Sequence, residues 1–364
     1  MRTTQTGLMR GIQGDRTLFA LAGALCAIGV LALTSATATL DPILTLRQSI
    51  WIVVGAGASL VVASSSYTRW TDLSVVLYLG VLLLLVIVEL AGTVKLGATR
   101  WLTVFGFSLQ PSELAKLATV CGLARYLAAQ PAPLSTRSLV ISAGLAGVPA
   151  LLVFLQPDLG SSSIIAAIWL GMVLVAGLSR RQVVGLAVGG LAALPLAWHG
   201  LKEYQRLRLL VFLNPHLDPL GAGYTIIQSQ IAIGSGQLIG RGWLSGTQNQ
   251  LNFLPERHAD FLYSVIGEEW GFVGAVTVVV LFGWLLWRAC RIALGNLEPQ
   301  GRLLAMGVVS WLGYQAVVNM GMVMGLLPVV GVPLPLISYG GSAMVVVWLA
   351  LGLLQGVHRF GTRF

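Results

Sequence analysis

The chain has 364 residues, of which 56% are hydrophobic and only 10% charged. A soluble globular protein carries about 25% charged residues, so this composition excludes a chain that lies mostly in water. The formal net charge of +9 does not point to nucleic acid here. Its distribution, set out below, assigns it to membrane topology and attraction to anionic lipids.

The first apolar run, Leu18 to about Ser35, follows a basic start with no small-residue cleavage site after it, so it reads as a retained helix rather than a cleaved signal. Long runs recur along the chain. Leu73–Leu90 and Phe272–Trp287 contain no lysine, arginine or aspartate, and Glu89 sits at the edge of the first. A helix needs roughly 20 apolar residues to cross a bilayer. The expected spans are 17–36, 48–65, 72–91, 111–129, 138–155, 160–178, 182–198, 261–287, 303–327 and 340–357. The fold class is therefore all-α: a polytopic integral membrane protein of about ten helices in one membrane domain over 1–364. Gly321 and Gly325 form a GxxxG step on the ninth helix, which permits close helix approach. Cys26, Cys121 and Cys290 lie far apart in or beside apolar helices without metal-ligand spacing, and read as structural thiols.

Orientation follows from arginine and lysine near the span ends. With the N-terminus cytoplasmic, one side holds Arg2, Arg10, Arg16, Arg69, Arg125, Arg137, Arg180, Arg181, Arg288, Arg291, Arg302, Arg359 and Arg363 against only Asp15, Asp72 and Glu298. An even number of spans places both termini in the cytoplasm. The segment from His199 to Asp260 is then a long extracytoplasmic loop between the seventh and eighth helices. Its Tyr224–Ile233 stretch is too short and polar to span and reads as a re-entrant or interfacial helix.

That loop contains Gly240-Arg-Gly-Trp-Leu-Ser-Gly-Thr-Gln-Asn-Gln-Leu-Asn-Phe-Leu-Pro-Glu-Arg-His-Ala-Asp-Phe. It closely resembles the extracytoplasmic loop of the SEDS family (shape, elongation, division and sporulation proteins). Gly97-Ala-Thr-Arg-Trp with Gln110-Pro-Ser-Glu-Leu-Ala-Lys, Gln156-Pro-Asp-Leu-Gly-Ser, and Gly325-Leu-Leu-Pro with Gly331-Val-Pro-Leu-Pro-Leu-Ile-Ser-Tyr-Gly-Gly-Ser match in the family's order. The Pro255–His258 form resembles the elongation member more than the division member. Ala259 departs from the family's usual threonine.

The resemblance implies a ten-helix peptidoglycan glycosyltransferase that polymerises lipid II on the outer face of the bacterial cytoplasmic membrane. It implies as partners lipid II, the nascent glycan, a class B penicillin-binding protein, the elongation machinery and membrane lipids. The 4-hydroxyl of one GlcNAc attacks C1 of another unit's MurNAc with inversion, and undecaprenyl pyrophosphate leaves. A single displacement needs a base and positive charge for the leaving group. The alternative is a transporter that moves lipid II without changing it.

By motif position the resemblance makes Asp260 the catalytic aspartate; the competing reading is an N-cap of the eighth helix. Glu256 and Arg257 either position sugar and tune Asp260 or form a surface pair. His258 is a second candidate base. Glu113 and Lys116 share one face of the fourth helix; they neutralise each other or Lys116 faces a cavity and meets pyrophosphate, and the cavity role is favoured here. Arg100, beside Trp101, is a membrane anchor or a phosphate ligand. Arg208 and Arg241 are weaker candidates of the same kind. Asp158 reads as an N-cap, Gln315 and Asn319 as cross-helix hydrogen-bonding groups, and Ser338 as a hydroxyl lining the cavity. No cofactor is implied with certainty. A divalent cation stays open, because carboxylates and pyrophosphate can share one without a sequence signature.

Overall fold

The computed structural model describes residues 14–39, 41–95, 98–104, 107–221 and 223–361. Arg2, Arg10, Gly97 and Arg363 lie outside the described residues. The elements are α1 (Arg16–Thr37), α2 (Ile43–Ser64), α3 (Tyr67–Asp72), α4 (Ser74–Ala91), β1 (Thr93–Lys95), β2 (Ala98–Val104) and β3 (Phe107–Leu109). Then follow α5 (Pro111–Ala128), α6 (Thr136–Leu155), α7 (Leu159–Ala176), α8 (Arg180–Gly200), α9 (Glu203–Leu213), α10 (Tyr224–Ser235), α11 (Thr247–Gln250), α12 (Leu262–Leu294), α13 (Pro299–Val323) and α14 (Gly341–Phe360).

Each of the ten expected spans coincides with one long helix. Seven are long and apolar enough to cross a membrane, and Ser74–Leu90 adds a shorter apolar run. The other two are α5, which buries Glu113 and Lys116, and α8, which opens on Arg180 and Arg181 behind a Ser179–Gln182 capping box. Large apolar side chains such as Val53, Val61, Val76 and Leu83 are exposed on the outside of α2 and α4. In a multi-pass membrane protein that surface meets lipid. α13 runs through the core, packing on α5, α7, α12 and α14, with Trp311 wholly buried.

The all-α membrane class holds, and three details are added or corrected. First, β1, β2 and β3 form a small antiparallel sheet, in that order, before α5. Second, α12 continues past 287 to Leu294, because Arg288 and Arg291 do not interrupt it. Their guanidiniums lie 5.8 and 5.3 Å from the Trp287 ring, and Arg288 Nε donates to Asp15 Oδ2 at 3.0 Å. Third, the Gly321/Gly325 step makes no helix crossing. α13 ends at Val323, Gly325 takes φ +75°, and Leu326 N donates to Gly321 O at 2.8 Å. The room at Gly321 is filled by Leu327 of the same turn. The glycines therefore close a helix C-terminus.

The His199–Asp260 segment contains three short helices, α9, α10 and α11, joined by turns. The stretch from Tyr224, expected as a re-entrant or interfacial helix, forms the helix α10, whose Ser229 Oγ donates to Val323 O at 2.6 Å at the end of α13.

Candidate active site

Asp260 sits in the turn that leads into α12. The N-cap position belongs to Phe261, and no side chain caps this helix, so the capping alternative fails. The turn is held through its backbone. Asn319 Nδ2, from α13, donates to Asp260 O at 2.8 Å and to Val332 O at 2.7 Å. One turn earlier, Gln315 Nε2 donates to Pro333 O at 2.8 Å. From the other side, Tyr339 N donates to His258 O at 3.0 Å. The Asp260 carboxyl itself takes no hydrogen bond from any described residue. Gly331, at φ +69°, passes beside it; an added Cβ there would stand 3.4 Å from Asp260 Oδ2.

Protein surrounds this carboxyl closely, although solvent still touches the residue. Burial pushes its pKa from the ordinary 3.8 up to about 7; Glu256 adds to the rise, Arg208 opposes it, Asp158 adds and Arg100 opposes. A carboxylate with an unoccupied acceptor face and a pKa at neutrality suits a general base. The same five charges define the site. β2 brings Arg100, the turn between α6 and α7 brings Asp158, α9 brings Arg208, and the turn before α12 brings Glu256 and Asp260.

A narrow cleft with about 30 Å³ of room inside its mouth is lined by Arg100, Pro157, Tyr204, Arg208 and Pro328–Val330; Asp260 is not part of that lining. A second groove of about 740 Å³ shares Tyr204, Arg208 and Val329 and continues to Gly221 and Thr225. The floor at Val330 runs directly into Gly331 and so to Asp260. Arg100 is steadied by Nε donating to Gln156 O at 2.9 Å and Nη2 to Pro157 O. Asp158 caps α7 through Ser161 N at 3.1 Å, as expected, while its charge also reaches Asp260.

Other sequence candidates sit elsewhere. Lys116 and Glu113 are 0% and 2% exposed, joined at 2.7 Å. Lys116 Nζ also donates to Gln315 Oε1 at 3.2 Å and lies 5.2 Å from the Trp311 ring. The favoured cavity role is therefore corrected: this lysine is sealed in a neutralising pair under Gln315. Arg257 is 1% exposed. Its Nε donates to Ala36 O at 2.7 Å, Nη2 to Thr39 Oγ1 at 2.7 Å, and Nη1 to Asn249 O. It clamps the loop to α1 and is not among the residues that line the cleft. Arg241 reaches Thr247 Oγ1 at 3.1 Å and staples α10 to α11. Ser338 closes a tight turn, accepting Leu334 N at 2.9 Å, instead of lining the cleft. Burial holds the His258 imidazole below its ordinary range, with Glu256 opposing and Arg257 adding; its Nε2 stands 3.8 Å from Glu256 Oε2.

Sequence reasoning missed Tyr204 altogether, and it gave Gln315 and Asn319 no part in the site. An aromatic residue four positions before an arginine on a helix puts both on one face, which was the available signal for Tyr204. Amides inside an apolar span were the signal for the other two. Among the described residues, no group of three or more His, Cys, Asp or Glu side chains is placed to hold a metal ion.

The cell cycle protein family model FtsW/RodA/SpoVE matches residues 15–363. The chain belongs to this family. FtsW/RodA/SpoVE relatives include the peptidoglycan glycosyltransferase MrdB of Escherichia coli K12, 46% identical over 284 residues, covering 78% of this chain and 76% of that one. A probable peptidoglycan glycosyltransferase FtsW of Geobacter metallireducens is 39% identical over 360 residues, covering 94% of each. Among solved structures of the family's shape, a chain of a peptidoglycan synthase complex that coordinates polymerization and crosslinking superposes with TM-score 0.85 at 36% identity, covering 96% of this chain and 98% of that one. The Thermus thermophilus rod shape determining protein RodA gives 0.73 at 32% identity, covering 97% and 99%.

Proposed function

We propose that this peptidoglycan glycosyltransferase uses Asp260 as the general base that activates the acceptor sugar in lipid II polymerisation. The supporting observation is the free, nearly neutral carboxyl of Asp260 beside a cleft carrying Arg100 and Arg208. The GlcNAc 4-hydroxyl of the acceptor gives its proton to Asp260 as its oxygen bonds to C1 of the donor MurNAc. The bond from C1 to the pyrophosphate oxygen breaks, and undecaprenyl pyrophosphate leaves with the electron pair. The α-linked donor becomes a β-linked product, with no covalent enzyme intermediate. Arg100 and Arg208 offset the charge that grows on the departing pyrophosphate. Burial, with smaller help from Glu256 and Asp158, holds the Asp260 pKa high enough for proton uptake near neutrality.

The arginine asymmetry supports both termini in the cytoplasm and the α9–α11 segment on the outer face, where an elongation-type enzyme meets its substrate. A class B penicillin-binding protein is the expected partner, and the elongation machinery the expected setting. The chain, reconstituted with that partner and given lipid II with no other polymerase present, is expected to make glycan strands. Movement of lipid II across the bilayer without strands, in the same preparation, would replace the enzyme by the transporter.

A further inference from the structure

We propose that the end of α12 opposite Asp260 carries a binding site for the phosphodiester headgroup of an anionic phospholipid. α12 kinks at Gly271 (φ 66°, ψ −160°), and its stretch beyond the kink, residues 272–294, runs about 35 Å at roughly 1.5 Å per residue, still more than a bilayer's ~30 Å hydrocarbon core. Its two ends therefore face opposite membrane surfaces. At the far end, α12, the start of α1 and the last turn of α14 enclose a pocket of about 530 Å³ counted to its open mouth. Asp15, Arg288, Arg291, Asn296 and His358 contribute its polar lining.

The charges there do not balance. Among the described residues Asp15 is the pocket's only acid, and it is already engaged: Arg288 Nε meets its Oδ2 at 3.0 Å, and Thr17 N and Leu18 N donate to its Oδ1 at 2.9 and 3.2 Å. Arg291 meets no carboxylate among the described residues; its guanidinium lies 5.3 Å from the Trp287 ring. That leaves one guanidinium, with its bidentate fork, facing a pocket that holds a second arginine and a histidine. A soluble anion would satisfy the charge alone. The surroundings favour a lipid. Ile292 and Val357 supply apolar wall inside the pocket, and Trp287 and Leu294 stand 51% and 65% exposed beside it. Tryptophan next to arginine at a helix end marks the headgroup level of a bilayer. Basic pockets between spans at that level suit anionic lipid headgroups.

The test is native mass spectrometry of the full chain released from phosphatidylcholine nanodiscs doped with phosphatidylglycerol. Wild type is expected to retain phosphatidylglycerol. Arg291→Gln should lose about fivefold in retention, roughly the worth of one charge-assisted hydrogen bond to the headgroup phosphate. Arg137→Gln, an exposed arginine at the start of α6, should retain it like wild type. The site is overturned if Arg291→Gln retains as much as wild type, or if Arg137→Gln loses as much as Arg291→Gln. Displacement of the lipid by inorganic phosphate at equal concentration overturns the lipid assignment in favour of free phosphate. None of these readouts uses strand synthesis, so the result stands apart from the role of Asp260.

Discussion

Substitutions at Glu256 and Arg208 should move the pH dependence of strand synthesis in opposite directions. Lifting the Asp260 pKa from 3.8 to about 7 disfavours the carboxylate by roughly 4 kcal/mol, at about 1.4 kcal/mol per pH unit. Burial dominates that rise, and the neighbouring charges trim it. A unit charge about 10 Å away, at an effective dielectric of about 30, is worth roughly 1 kcal/mol, or about 0.8 of a pH unit. The base works unprotonated, so the wild-type rate should climb as pH rises through about 7. Arg208→Ala removes a charge that favours the carboxylate and should shift that limb up by about 0.8 of a pH unit. At pH 7 the ionised fraction then falls about three- to fourfold. Glu256→Gln removes a charge that opposes ionisation and should shift the limb down by a similar amount. The position of the limb reads these charges, while the height of the plateau reads the contact proposed between Arg208 and the leaving pyrophosphate. The assay is strand formation from saturating lipid II, with partner, between about pH 5.5 and 8.5. A wild-type rate that stays flat from about pH 8.5 down to about 5.5, or limbs that move together in both variants, would refute the reasoning.

Lys116→Met leaves Glu113 buried without its partner and should destabilise the fold by about 3–5 kcal/mol. The Glu113→Leu/Lys116→Met double variant should recover most of that in thermal unfolding; equal melting of single and double variants would show that the two side chains are not one unit. Asn319→Ala frees the backbone carbonyls of Asp260 and Val332 and should lower the strand rate about 10- to 100-fold, with the KM for lipid II little changed. A rise in KM alone would place Asn319 on the substrate instead. Arg257→Gln abandons three acceptors in a buried clamp and should cost about 3 kcal/mol or more. Its activity loss should track melting, and loss of activity in a fully stable variant would return Arg257 to the site.

The helical framework was legible because a bilayer demands long apolar runs, and among the described residues seven helices carry one, with a shorter apolar run at Ser74–Leu90. Pro111 at the first position of α5 and Asp158 capping α7 were legible for equally local reasons. The sheet before α5 was hidden because its strands are short and sit between two membrane helices, where a loop is the default reading. The end of α12 was misplaced because Arg288 and Arg291 look like a boundary in sequence, whereas the long side chains lie along Trp287 while the helix continues. The site was legible only in part. A motif could point to Asp260, but Arg100, Asp158, Arg208 and Asp260 are separated by dozens of residues, and only packing brings them together. Sequence spacing likewise could not tell Arg208, which faces the cleft, from Arg257, which is buried against Ala36. Both are arginines in one polar segment, and what divides them is the backbone carbonyls each finds.

The most direct test is Asp260→Asn, a change that keeps the side chain's shape and removes its ability to take a proton. With the transpeptidase partner bound and the fold intact, lipid II should bind as in wild type while strand synthesis falls to background across the whole pH range. Strands formed by Asp260→Asn at near wild-type rate would mean that the proton leaves by another route.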